Sequence, residues 1–216
     1  MKSIFGLDSP FVLFLNDLTD IVILNVICII CCLPVVTIGA SLTALHYVTM
    51  RMARDEGGYA VRDFFRAFKQ NFVQSTLIWL IFLLISFFFY LDFRIFNSQL
   101  VEVPRVLELM IYVLYGFVCL TAMYVFPLIS RFSNSVVNSI KNAFLMSIIH
   151  IFKTILMMII YLLPLLLASL HGTLVGVYLL VGIAGPAYIN SFFWKGIFKR
   201  YEPREEEAGE EIQQNV

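Results

Sequence analysis

The chain has 216 residues, 60% of them hydrophobic and 14% charged, with 15 basic and 15 acidic residues and a formal net charge of zero. A water-soluble domain of this length needs more polar cover than that, so the expected solvent is lipid. The balanced charge makes no case for nucleic-acid binding.

Backbone inside a bilayer must satisfy its own hydrogen bonds, which leaves helices or a closed barrel. The apolar runs here are continuous rather than alternating, so the expected fold class is all-α: a polytopic membrane helix bundle. A spanning helix needs about 20 mainly apolar residues. The candidates in chain order are Leu18–Leu33, Ile38–Met52, Val73–Phe93, Val106–Ile129, Phe144–Leu170 and Leu174–Ile197. The N-terminus carries one cation, Lys2, but Asp8, Asp17 and Asp20 interrupt the approach to the first run and no A-x-A site comes after it, so the segment is expected to be retained.

Between the first two candidates lies Leu33-Pro34-Val35-Val36-Thr37-Ile38-Gly39-Ala40-Ser41. Pro34 breaks a helix, Gly39 permits a turn and Thr37 is placed to cap the second helix. Two readings are open: a helical hairpin, or one kinked span with Ser41–Arg54 along the surface. Charge favours the hairpin. Thirteen of the fifteen cations fall in clusters around Lys2, Arg51–Lys69, Arg131–Lys153 and Lys195–Arg204, and only Arg94 and Arg105 lie in the intervening loops. Cationic segments stay cytoplasmic, which gives about six helices with both termini cytoplasmic in a multi-pass cell-membrane protein.

Asp55-Glu56-Gly57-Gly58 supplies a break before Tyr59–Phe72. There Phe64, Phe65, Phe68 and Phe72 recur at helical spacing, with Arg62, Arg66 and Lys69 between them. This predicts an amphipathic interfacial helix leading into the third span. Lys69–Ser75 also aligns with Lys141–Ser147 at a shift of 72 residues, a match that either a duplication or the common needs of helix starts would produce. Pro127, Pro164 and Pro186 lie within spans, and Gly182, Gly185 and Pro186 make the last one irregular. Kinked helices line cavities in some folds and are ordinary packing features in others. Residues 1–201 read as one membrane domain. The acidic, apolar-poor stretch 202–216 reads as a disordered cytoplasmic tail.

Chemistry-bearing patterns are scarce. No nucleophile elbow, zinc-protease, Walker or Rossmann motif occurs, so neither an enzyme nor a nucleotide-binding subunit is expected. Cys28, Cys31 and Cys32 lie in an apolar run without a basic neighbour and read as small core residues. His46, His150 and His171 are far apart in sequence, with no metal-ligand spacing. No cofactor or metal is expected. Asn25 is the deepest polar residue of the first span and is suited to bonding across helices. Small and aromatic residues such as Gly39, Ala40, Ala44, Tyr47, Phe87 and Phe88 are candidates for a face packed against a partner.

The runs Asp8-Ser9-Pro10-Phe11, Leu24-Asn25, Cys32–Ala40, Thr43–Val48 and Arg62–Phe72 resemble the YesL-type family of bacterial membrane proteins, closely over Phe5–Ser75 and by hydropathy beyond. The resemblance implies no assigned activity and no catalytic residues. It implies a gene neighbourhood of carbohydrate ABC importers, glycoside hydrolases and two-component sensors in Gram-positive bacteria. Two functions are expected on this basis. The first is an accessory integral-membrane subunit of a carbohydrate importer, in contact with ABC permease subunits and the lipid bilayer. The second is a stand-alone small-solute transporter or channel.

Overall fold

A computed structural model describes residues 10–56, 58–97, 104–172 and 174–201. Its helices are α1 (Pro10–Cys32), α2 (Ile38–Met52), α3 (Ala60–Asn97), α4 (Arg105–Arg131), α5 (Val136–Ile149), α6 (Ile151–Leu170), α7 (Leu174–Val181) and α8 (Ala184–Phe198). The fold is an all-α bundle with several apolar helices of membrane-spanning length. The expected tail 202–216 and the start of the chain lie outside the described residues.

Among the described residues four helices are long and apolar enough to cross a membrane: α1, α3, α4 and α6. The pair α7 and α8, bent by 49° at a short break, makes a fifth. The expected count of six is corrected here. At about 1.5 Å per residue, α2 is only about 22 Å long, short of a hydrocarbon core of about 30 Å. It lies inside the bundle instead, packed against α1, α3, α4 and α8, with ten of its fifteen residues buried.

The hairpin reading of Pro34 holds: α1 ends at Cys32 and a 3-10 turn, Val35–Thr37, leads into α2. The individual roles differ from those expected. Thr37 makes no side-chain cap to α2; its hydroxyl lies 2.6 Å from the Cys31 carbonyl and 2.8 Å from that of Pro34, and so secures the end of α1. Gly39 has no positive φ and is part of α2. Its lack of a side chain lets α2 approach α3: a Cβ would collide with the Ser75 carbonyl oxygen and stand 2.6 Å from the Trp79 Cβ. Trp79 in turn donates its indole N–H to the Val35 carbonyl at 2.7 Å, tying the turn to α3. At the far end of α2, Asp55 adopts a φ of 58° to turn the chain towards α3.

The interfacial helix expected over Tyr59–Phe72 is also corrected. Residues 60–97 form one helix of 38 residues. No Gly or Pro interrupts that stretch, and Phe64 and Ala67 are fully buried in a cluster with Leu24, Ala44, Leu45 and Ala187, so nothing frees the segment to lie flat on a membrane. Conversely, the single helix expected over Phe144–Leu170 is divided at His150. The Thr154 hydroxyl lies 3.1 Å from the Ser147 carbonyl and 3.0 Å from that of His150, offering a donor where the regular ladder fails. Pro186 falls in the first turn of α8, where its missing N–H is not needed. Pro127 and Pro164 lie inside α4 and α6.

A second cluster, built on Ile78, Tyr124, Met157, Trp194 and Phe198, joins α3, α4, α6 and α8. Most of α6 lies outside both clusters, with only Thr154 and Met157 buried.

Candidate functional site

Two polar features occupy the bundle. The first is a series of buried polar side chains, most of which bridge one helix to another. Thr43 and Ser75 hydroxyls lie 2.9 Å apart and join α2 to α3. Ser191 and Thr49, also 2.9 Å apart, join α8 to α2, and Tyr124 and Thr154, at 2.7 Å, join α4 to α6. Asn190 donates to the Met157 carbonyl at 3.2 Å, linking α8 to α6.

Asn25 makes the most of its amide. Its Nδ2 donates to the Leu179 carbonyl at 2.8 Å, while its Oδ1 accepts from Ile183 N at 2.9 Å and Ala184 N at 2.8 Å. These are backbone groups that the break between α7 and α8 leaves without an intrahelical partner. A broken helix often exposes such groups to a substrate; here α1 of the same chain satisfies them.

The Tyr161 hydroxyl stands among His46, whose Nε2 is 3.4 Å away, Asn190 and Trp194. His46 Nδ1, Asn190 Oδ1 and Trp194 Nε1 find no hydrogen-bond partner among the described residues. These groups provide hydrogen bonding without a carboxylate beside the histidine, so they do not make an acid–base pair. Among the described residues no group of three His, Cys, Asp or Glu side chains is placed to hold a metal. Cys28 is fully buried as a core residue.

The second feature is an open cleft of about 470 Å³ where α1, α2 and the start of α3 meet, lined by Asp17, Asp20, Arg51, Asp55, Glu56 and Asp63 among apolar neighbours. Arg51 is its hub. Nη1 pairs with Asp63 Oδ2 at 2.7 Å, Nε lies 3.5 Å from Glu56 Oε2, and Nη2 donates to the Glu56 carbonyl at 3.1 Å. The guanidinium also lies 5.9 Å from the centre of the Tyr47 ring, a cation–π distance. Glu56 pairs with Arg54 as well, and Tyr188 donates to Asp17 at 3.2 Å. The clamp closes the Asp55 turn and fixes α3 to α2.

The residues singled out from sequence separate into three groups. Gly39, Ala40 and Ala44 are buried inside the chain and form no outward face. Tyr47 is half-buried over Arg51. Phe64 is buried, Phe68 and Phe72 are half-buried in a run of ring contacts, and Phe65 is exposed. Arg62 and Lys69, with Arg66 between them, are exposed on the side of α3 opposite its buried face. Phe87 and Phe88 are exposed near the other end of α3. Sequence reasoning missed the Arg51–Asp63 clamp. Its signal was present: opposite charges twelve residues apart on either side of a Gly-Gly turn.

Over residues 21–93, about a third of the chain, the sequence matches the model of a family described as a protein of unknown function, DUF624. That stretch holds most of α1, all of α2 and most of α3, and with them the Asn25 and Arg51 sites. No curated protein and no solved structure matches the chain.

Proposed function

We propose that the protein works by holding a partner in the membrane rather than by turning over a substrate: a non-enzymatic accessory subunit associated with a carbohydrate ABC importer. The observation that carries this reading is the division of α3. One side, with Phe64 and Ala67, is locked into the bundle; the other presents Arg62, Arg66 and Lys69 along one stripe. At about 57 Å the helix is nearly twice as long as a hydrocarbon core of about 30 Å, so it carries this stripe beyond the bilayer. The bridging role of the buried polar groups supports the same reading, because they act as glue between helices. The importer, the carbohydrate class and a bacterial cell-membrane location rest on the resemblance to the YesL-type family. The clustering of cations supports a cytoplasmic side for Arg51–Lys69, Arg131–Lys153 and Lys195–Arg204, and with five spans the N-terminus then lies on the opposite side from the C-terminus.

A second reading, a stand-alone transporter of small solutes, is favoured by the open cleft lined by Asp17, Asp20, Asp55, Glu56 and Asp63. One experiment separates the two. The full chain is purified from its native membranes in mild detergent, with partners identified, beside the variant Arg62→Glu, Arg66→Glu, Lys69→Glu. Permease subunits that accompany the wild type and are lost from the variant support the accessory role. Sugar flux into liposomes holding this protein alone overturns it in favour of the transporter.

A further inference from the structure

A second cavity, independent of the α3 stripe, lies where α4 ends, α5 meets α6 and α8 ends. Its volume is about 360 Å³, and Leu128, Phe132, Met146 and Ile149 give it an apolar floor while Asn142 and Tyr201 bring polar groups to it. This is at the low end of the range of about 300–1,000 Å³ for small-molecule sites, and adequate for part of a chain molecule.

The cavity adjoins a cluster of positive charge. Tyr201 lies with its hydroxyl 3.5 Å from His150 Nε2 and its ring edge-on to the imidazole. Arg200 directly precedes Tyr201, and Lys153 follows His150 by one helical turn, so both cations flank this contact. His150 is the residue at which the helix breaks, and Lys153 stands in the first turn of α6 beyond it. Beyond this point α6 runs outward with most of its side chains exposed, on a surface suited to lipid.

An apolar groove, a polar rim and adjacent cations at the end of spanning helices match a molecule with an anionic head and a hydrocarbon tail. Inorganic phosphate would have no use for the apolar floor, and a neutral lipid none for the cations. We propose that this groove binds one anionic phospholipid, with its phosphate facing Lys153 and Arg200 and an acyl chain over Leu128, Phe132, Met146 and Ile149. The α3 stripe has cations too, but no cavity among those described adjoins them to seat a tail. The lipid would add to the contact between the α5–α6 break and the end of α8 already made by His150 and Tyr201.

The test uses the full chain in nanodiscs of phosphatidylcholine, titrated with fluorescent phosphatidylglycerol. Lys153→Gln combined with Arg200→Gln is expected to weaken binding about thirtyfold, the loss of two surface cations. Lys153→Arg combined with Arg200→Lys is expected to keep it, as is neutralisation of Arg62, Arg66 and Lys69 to Gln. Three results overturn the proposal: loss of binding on neutralising the α3 stripe with the groove cations intact, equal binding of a fluorescent phosphatidylcholine, or displacement of the lipid by millimolar inorganic phosphate.

Discussion

Helices α2 and α6 invert the rule that applies in water. α2 carries Gly39, Ser41, Thr43, His46, Thr49 and Arg51, and it is the most enclosed helix of the bundle. α6 is mostly aliphatic, yet Leu162, Leu163, Leu165, Leu166 and Leu167 are all exposed. In lipid, an aliphatic side chain gains little by turning inward, since the tails outside are equally apolar. Beside the large side chains of the two clusters, the residues with most reason to go inside are those lipid cannot serve: hydroxyls and amides that need partners, and small residues that let backbones touch. If that account is right, damage to α2 and its contacts should cost far more than equal damage to α6.

The largest expected effect is at Gly39. Gly39→Val puts two methyl groups against the Ser75 backbone and the Trp79 side chain, neither of which is free to withdraw. The expected loss is about 3 kcal/mol, at the upper end for overpacked sites. Unfolding of the purified protein by a graded denaturing detergent measures it. A loss below about 1 kcal/mol would show that α2 and α3 separate easily, and the comparison with α6 would lose its basis.

Asn25 comes next. Asn25→Leu leaves the Ile183 and Ala184 N–H groups and the Leu179 carbonyl without their bonds. Three bonds of modest worth in a membrane, plus the cost of leaving buried groups unpaired, give an expected loss of about 2 kcal/mol. Hydrogen exchange at Ile183 and Ala184 provides a second readout, since both amides should exchange faster while those in the middle of α4 do not. Unchanged exchange would mean that the break closes on its own and that Asn25 is incidental.

These two positions also mark how much was legible in the sequence. Asn25 was readable as a cross-helix bond, because a lone amide in an apolar run has few alternatives. Its partners were not, because they are backbone groups 154 or more residues away that become available only when α7 and α8 part. The break at Pro34 was readable from one proline, whereas the choice of a hairpin over a kinked span rested on the cations of Arg51–Lys69. The length of α3 was misjudged because an amphipathic stretch before an apolar run looks the same whether its aromatic face meets lipid or protein. Only the packing of Phe64 and Ala67 distinguishes the two. The break at His150 left no comparable mark, since no Gly or Pro stands there. Gly39, Ala40 and Ala44, read from the sequence as candidates for a partner face, lie buried within the bundle, with Gly39 against Ser75 and Trp79 of α3.

The smallest expected effect is the most discriminating. Leu163→Ala removes a side chain from the exposed face of α6, where Leu163 is 52% accessible. In lipid or detergent the truncated side chain is replaced by solvent hydrocarbon, so no cavity forms and the expected change is within about 0.5 kcal/mol, as for ordinary surface substitutions. The same unfolding assay reports it beside Gly39→Val and Asn25→Leu. A loss above about 2 kcal/mol would instead be the signature of a cavity in a packed interface. This face of α6 would then be covered in the purified protein by a second copy of the chain. Cross-linking through a cysteine introduced at Leu166, on the same exposed helix, would identify that contact, and α6 would join α2 as an element defined by the protein surface it packs against rather than by lipid.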